Sequence, residues 1–117
     1  MDRAALRAAV MAASNPPPVP LKVPGLGAVY VMVQTAYTAD VARELLAKHQ
    51  ANDRLNVGRS LATILCDADG ELLFDVGDIE DVKALAKLRS SVVAQIFDTA
   101  NEANSVSIPE GVEPGKA

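Results

Sequence analysis

Few side chains in this sequence combine the type and spacing that a catalytic site needs. His49 is the sole histidine and Cys66 the sole cysteine, and no serine or cysteine motif lies near the histidine. A general base requires a positioned partner, and a thiol requires an electropositive setting to act as a nucleophile. One histidine and one cysteine also cannot supply the four ligands of a zinc site. We therefore expect no catalytic residue, no metal and no cofactor, and predict that the protein is not an enzyme.

Two aspartates followed by a glycine raise calcium binding as one interpretation of residues 67–70. An EF-hand loop carries three ligand positions before its glycine and ends on a bidentate glutamate. Here Gly70 comes too early, and Asp78 is the nearest candidate for the closing acid. Aspartates that bond nearby backbone, with a glycine that accepts positive φ, explain the segment as a turn. The pattern favours a tight turn over a calcium site.

Length and composition indicate one small domain. The chain has 117 residues, half of them apolar, with a net charge of −4 and 11 scattered basic residues. Nucleic-acid binding requires clustered lysine and arginine, and a membrane span requires roughly 20 apolar residues in succession. The sequence has neither pattern, so we expect no nucleic-acid and no membrane partner. The single cysteine and the short N-terminal apolar run favour a reducing cytoplasm over export.

The N-terminal part predicts a helix on a tether. Alanine and leucine favour a helix over residues 2–13, and Asp2 suits its positive N-terminal end. The helix must end near Ser14, because Asn15 precedes a proline and is therefore disfavoured in helical geometry. Four prolines then predict a stiff, extended connector over residues 16–20. We expect residues 1–15 to be separable from the body of the protein.

The rest of the sequence predicts an α+β domain over residues 21–104. Strand-forming runs around turn residues predict two hairpins, and the apolar arms of the second suggest burial on more than one side. Helical apolar spacing behind Thr38 and Asp78, two candidate caps, predicts two helices. The hairpins are expected at about 21–34 and 61–74, a middle helix at 38–50 and a long C-terminal helix at 78–104. Residues 105–117 lack apolar periodicity and predict a disordered tail.

Two apolar helix faces are the candidate contact surfaces. A short amphipathic helix on a proline tether and a long helix with a broad apolar side are ordinary protein-binding elements. Such faces also commonly pack on a protein's own core. The candidate protein-binding residues are Leu6, Val10 and Met11 on the N-terminal helix, with Met11 suited to adaptable contacts.

Four segments, taken in order, resemble a known family. VPGLGAVYV at residues 23–31 is similar to its Val-Pro-x-x-Gly-x-Val-x-Val strand pair, and TAYTADVARE at 35–44 to its polar helix start. LCDADGELLF at 65–74 is similar to its Leu-x-Asp-x-x-Gly-x-x-Leu-Phe hairpin, and DIEDVKAL at 78–85 to its Asp-Ile-x-x-Leu helix start. The chain therefore resembles the small tail assembly chaperones of lambda-like siphophages. It departs from them at residues 33–34, where family members often carry an arginine.

The resemblance implies a chaperone that coats the long, helical, aggregation-prone tape-measure protein and helps recruit the tail-tube protein. It implies a homo-oligomer in the host cytoplasm, absent from the mature virion, and in many members a longer frameshifted form. Two alternatives share the acidity and the lack of catalytic motifs: a small intracellular adaptor or antitoxin-like regulator, and a structural head–tail or tail protein. Neighbouring tape-measure and tail-tube genes separate the chaperone from the first alternative, and mass spectrometry of purified particles separates it from the second.

Overall fold

Residues 2–104 are described by the computed structural model. The order of elements is α1 (Arg3–Ala13), β1 (Val19–Val23), β2 (Gly27–Val31), α2 (Ala36–His49), α3 (Asn56–Ala62), β3 (Leu65–Cys66), α4 (Ile79–Ala86) and α5 (Ser90–Asn104). The predicted α+β class and the N-terminal helix are confirmed. The predicted tail at 105–117 lies outside the described residues.

The strands form one antiparallel sheet in the order β1-β2-β3. The first predicted hairpin is confirmed, and its turn is closed by the Leu26 amide, which donates to the Val23 carbonyl at 2.9 Å. Pro24 and Gly25 occupy the two central positions, and Gly25 has a φ of +86°. These are the residue types of a type II turn. The hairpin begins earlier than predicted, at Val19. The early start includes Pro20, which is tolerated because β1 is an edge strand.

The second hairpin is shorter than the predicted 61–74. Its first arm is the two-residue strand β3, whose Cys66 bridges to Leu72. The Asp67 carboxylate accepts the amides of Asp69 at 2.8 Å and Glu71 at 3.0 Å, so the predicted turn is confirmed. A strand from residue 61 was the wrong expectation, because that residue lies in α3. Short apolar runs fit a buried helix as well as a strand.

Polar side chains fix the start of α3, which begins in the stretch between the predicted middle helix and the predicted second hairpin. The Asn56 side chain donates to the Ala51 carbonyl at 2.8 Å and accepts the Ala51 amide at 3.4 Å. Arg59, only 5% exposed, donates to both carboxylate oxygens of Asp53 at 2.8 and 2.7 Å. Since these partners lie outside the helix, the local apolar pattern carries no signal for them.

We expect the Asp53–Arg59 ion pair to make stability depend on acid pH. The Arg59 guanidinium, and then the Leu55 amide, hold the pKa of the Asp53 carboxyl well below its ordinary value. The stabilisation is therefore complete above about pH 4 and is lost as the pH falls from there through the lowered pKa. In urea unfolding, Asp53→Asn should be less stable than wild type at pH 7, by a margin that shrinks near pH 3. The exposed Asp98→Asn serves as the control, and a margin that stays constant with pH would contradict the pairing.

The middle helix begins two residues earlier than predicted. Thr35, not Thr38, is its N-cap, and the two threonines form a capping box. The Thr38 amide donates to the Thr35 hydroxyl at 3.1 Å, and the Thr35 amide donates to the Thr38 hydroxyl at 2.8 Å. Thr38 therefore closes the first turn of α2 from inside the helix.

The predicted continuous helix at 78–104 is wrong, because two helices occupy this range. Asp78 caps α4 as predicted, accepting the amides of Glu80 and Asp81. After Ala86, the Leu88 amide turns back to a carbonyl three residues earlier, and α5 starts at Ser90. Serine competes with helical backbone bonding and favours helix ends, which suits a restart at this point.

The break between α4 and α5 lets both helices contribute side chains to one buried cluster. In one straight helix, Leu85 and Ile96 would lie about 16 Å apart along the axis. Both nevertheless belong to a single buried cluster, because α4 packs on α3 while α5 packs on β1 and β2. At its C-terminal end α5 is tied to the connection between β2 and α2, where the Asn104 side chain accepts the Gln34 amide at 2.5 Å. The buried cluster consists of Leu61, Ala62, Leu65, Val76, Leu85 and Ile96.

Candidate protein-binding surface

All residues of α1 are exposed to solvent. The Asp2 carboxylate caps its start by accepting the Ala5 amide at 2.8 Å, and the Ser14 hydroxyl donates to the Met11 carbonyl at 2.7 Å at its end. No residue of the helix is buried. Within residues 2–104, its side chains form no hydrogen bond or ion pair with the rest of the domain. The body of the protein therefore does not cover this helix.

The helix has two unlike faces. At 3.6 residues per turn, its five large side chains fall within an arc of about 140°, and the opposite side carries only alanines apart from the capping aspartate. The predicted contact residues are three of the five, and each is between 53 and 69% exposed. We call this side the large-residue face of α1, and its members are Arg3, Leu6, Arg7, Val10 and Met11.

Two arginines on this face were not predicted as contact residues. Arg3 and Arg7 lie between Val10 and Met11 around the helix, so the exposed apolar face is also basic. The spacing of residues 3, 6, 7, 10 and 11 in the sequence was the available signal. The face can therefore bury apolar side chains and pair with acidic groups in one contact.

The length of α1 also favours a contact with another polypeptide. An isolated helix of 11 residues is marginal in water, because most helical stability in proteins comes from packing one face. The end caps and the many alanines help α1 to form, but no face is packed within the described chain. Docking on a partner would supply the missing packing energy.

The proline connector joins α1 to the domain beside a cleft of about 310 Å³. Pro16, Pro17 and Pro18 form one wall of this cleft, and their fixed φ angles limit how α1 can move relative to the sheet. The connector end of α1 thus lies close to the turn at residues 67–70. The other lining residues are Asn15, Met32, Val33, Thr35, Thr38, Ala68, Asp69 and Gly70.

Residues 67–81, here called the acidic segment, form a second exposed surface. This segment contains seven Asp or Glu residues, and no Lys, Arg or His lies between residues 60 and 82. Some carboxylates serve local turns: Asp81 accepts the Asp75 amide at 2.9 Å. Others have no partner within residues 2–104, among them Asp69, Glu71 and Glu80. Three apolar side chains of the segment are 40 to 47% exposed, namely Leu72, Leu73 and Ile79.

The two residues with catalytic potential, His49 and Cys66, contribute to packing. The His49 ring lies over Gly77, where an added Cβ would come within 3.1 Å of its Cε1 atom. Cys66 is fully buried, and burial together with the negative charge of Asp67 raises the pKa of its thiol. A thiol held in the protonated form is a weak nucleophile. The buried Cys66 thiol is therefore not set up for nucleophilic chemistry.

Residues 2–104 offer neither a metal-ion cluster nor a membrane-spanning helix. No group of three or more His, Cys, Asp or Glu side chains in this range is placed to hold a metal ion. None of the helices in this range combines the length and the apolarity needed to span a bilayer. The exposed surfaces of α1 and of the acidic segment are therefore the strongest candidates for a functional site.

Comparison with protein-family models, curated proteins and solved structures finds no match to this chain. The geometry defines its class as a small α+β domain that presents a tethered amphipathic helix. The four segments quoted in the sequence analysis coincide with structural elements. Residues 23–31 span the first hairpin turn and β2, residues 35–44 the start of α2, residues 65–74 the second turn, and residues 78–85 the start of α4.

Proposed function

We propose that the protein is a tail assembly chaperone of a long-tailed phage. It binds and solubilises the tape-measure protein and helps recruit the tail-tube protein, through noncovalent contacts and without catalysing a reaction. The observation that carries this proposal is the exposure of Leu6, Val10 and Met11 on a helix that the body leaves uncovered. The four family-like segments, in their order, support tail assembly as the process.

Reversible shielding is the proposed mechanism. Full burial of a Leu, Val or Met side chain stabilises a contact by about 1.5–3 kcal/mol. The face has only three such side chains, and association has its own entropic cost, so a single contact is weak. Many copies along one extended client raise the overall affinity through effective concentration. Because each single contact is weak, tail-tube protein can displace the copies one by one. The net charge of −4 keeps the coated client soluble.

The test is co-expression with the tape-measure protein of the same phage. Wild-type protein is expected to keep the client soluble and to copurify with it. Leu6→Asp/Val10→Asp places two charges on the large-residue face and should lower the copurified client about tenfold or more, which corresponds to 1.4 kcal/mol or more of binding energy. The thermal midpoint should stay within a few degrees of wild type, because both side chains are exposed.

A matched control places the same charges on the opposite side of α1. Ala5→Asp/Ala9→Asp keeps the spacing of the two substitutions and lies on the alanine face. This variant should retain the client. A client that remains insoluble with wild-type protein, or equal capture by both variants, would contradict the proposal.

A further inference from the structure

We infer that the large-residue face of α1 docks on the acidic segment of a second copy of this chain. The inference goes beyond the proposed function and does not rest on it, because it concerns the protein without a client, when no client occupies the large-residue face. Its basis is the complementarity of two exposed surfaces, each of which combines unpaired charge with uncovered apolar side chains.

The charges of the two surfaces are opposite and unpaired. On α1, Arg3 and Arg7 are exposed and form no ion pair within residues 2–104. On the acidic segment, Asp69 and Glu71 are exposed and likewise have no partner in the described part of the chain. Opposite potentials across a contact set its orientation and speed its formation. The large-residue face has no acid of its own, so a basic surface would repel it.

The apolar parts match as well. Three aliphatic or thioether side chains on α1 lie beside the arginines, and Leu72, Leu73 and Ile79 lie among the acids of the segment. Uncovered apolar side chains grouped with one sign of charge are typical of contact surfaces. An α1 of 11 residues is about 16 Å long, which suits a contact with one short segment.

Two exposed apolar side chains on α2 offer a poorer match. Tyr37 and Val41 lie on the outer side of α2, where positive and negative residues alternate. There Asp40 and Arg43 already form an ion pair with each other. Such a surface has little net charge to attract two arginines. The acidic segment is the stretch with an unbalanced charge.

A second copy, and not the same molecule, supplies the acidic segment. No residue of α1 is buried on its own domain, and the three prolines that wall the cleft limit how α1 can fold back onto the turn beside them. The two complementary surfaces are different patches of one chain, so the contact is heterologous. Each copy then uses both patches, and association continues into a ring or a filament.

The experiment is a charge exchange followed by sedimentation velocity of the purified full chain at several concentrations. One variant is Arg3→Glu/Arg7→Glu, and the other is Asp69→Lys/Glu71→Lys. Alone, each faces like charge across the contact and should associate at least tenfold more weakly than wild type. Mixed in equal amounts, they restore opposite charge at every contact, and association should return to the wild-type level. A rise in salt should weaken wild-type association, because the charges are exposed.

The control for Asp69→Lys/Glu71→Lys is Glu44→Lys/Asp98→Lys. It makes the same change in net charge at two exposed acids elsewhere and should associate like wild type. Circular dichroism checks that each variant is folded, and the salt series requires no variant. A wild-type protein that is monomeric at every concentration would overturn the inference. So would salt-independent association, undiminished association of either charge variant, or a mixture that fails to recover. None of these outcomes depends on whether the tape-measure protein binds.

Discussion

Gly58→Ala is expected to lower the free energy of unfolding by at least about 3 kcal/mol, above the usual range for overpacking. A Cβ at this position would lie 2.2 Å from the Val82 carbonyl oxygen and 3.1 Å from the Ala86 amide nitrogen. Both atoms belong to the backbone of α4, so no side-chain rotation relieves the clash. Alanine is favoured over glycine in a helix by about 1 kcal/mol, and this gain is too small to offset the separation of two packed helices.

Urea unfolding followed by circular dichroism measures this effect. Val57→Ala, an adjacent and partly exposed position on α3, is the control and should change stability by about 1 kcal/mol or less. A Gly58→Ala protein as stable as the control would mean that α3 and α4 do not approach each other as closely as the structure shows.

Leu61→Ala is expected to cost about 2–5 kcal/mol, the range for a buried leucine truncated in a core. Leu61 is fully buried and belongs to the central cluster, where it lies with Leu85 of α4 and Ile96 of α5. Its removal leaves a cavity among three helices, which therefore lose packing together. The cost depends on how far these helices relax into the space.

The same truncation at Leu73 is the matched control. Leu73 is 47% exposed, so Leu73→Ala should cost about 1 kcal/mol or less. Thermal and urea unfolding of both variants, compared with wild type, give the two values. Equal losses at the two positions would contradict the burial that the structure assigns to them.

Elements with strong local signals could be predicted from the sequence. A capping aspartate, an alanine-rich run and an Asn-Pro step gave α1 to within a residue. Pro24 and Gly25 gave the first turn, and Asp67 with Gly70 gave the second. In each case the residues that determine the element lie within it or next to it.

Elements that depend on distant partners could not be predicted. α3 is fixed by the Asp53–Arg59 pair and by the close approach of Gly58 to α4, and neither leaves a periodic pattern. The break before α5 lets two helices reach one core from different sides, and the apolar spacing of residues 78–104 is compatible with one helix or two. Tertiary packing determined both the formation of α3 and the break before α5.

The candidate surface was predicted in part. The apolar spacing predicts Leu6, Val10 and Met11 as contact residues, but an amphipathic pattern alone does not tell whether a helix covers its own core. The acidic segment was not foreseen as a contact surface, because apolar residues such as Leu72 and Leu73 suggested burial. In the structure their short arm leaves both of them exposed.

The central claim is that the large-residue face of α1 meets another polypeptide chain. Site-specific photo-crosslinking from position 6, in protein co-expressed with the tape-measure protein, tests it most directly. A crosslinker at Ala47, exposed on α2, gives the background. We expect position 6 to yield adducts with a second polypeptide, well above those from position 47. Crosslinks from position 6 that join only residues of the same molecule, or none above background, would contradict the claim.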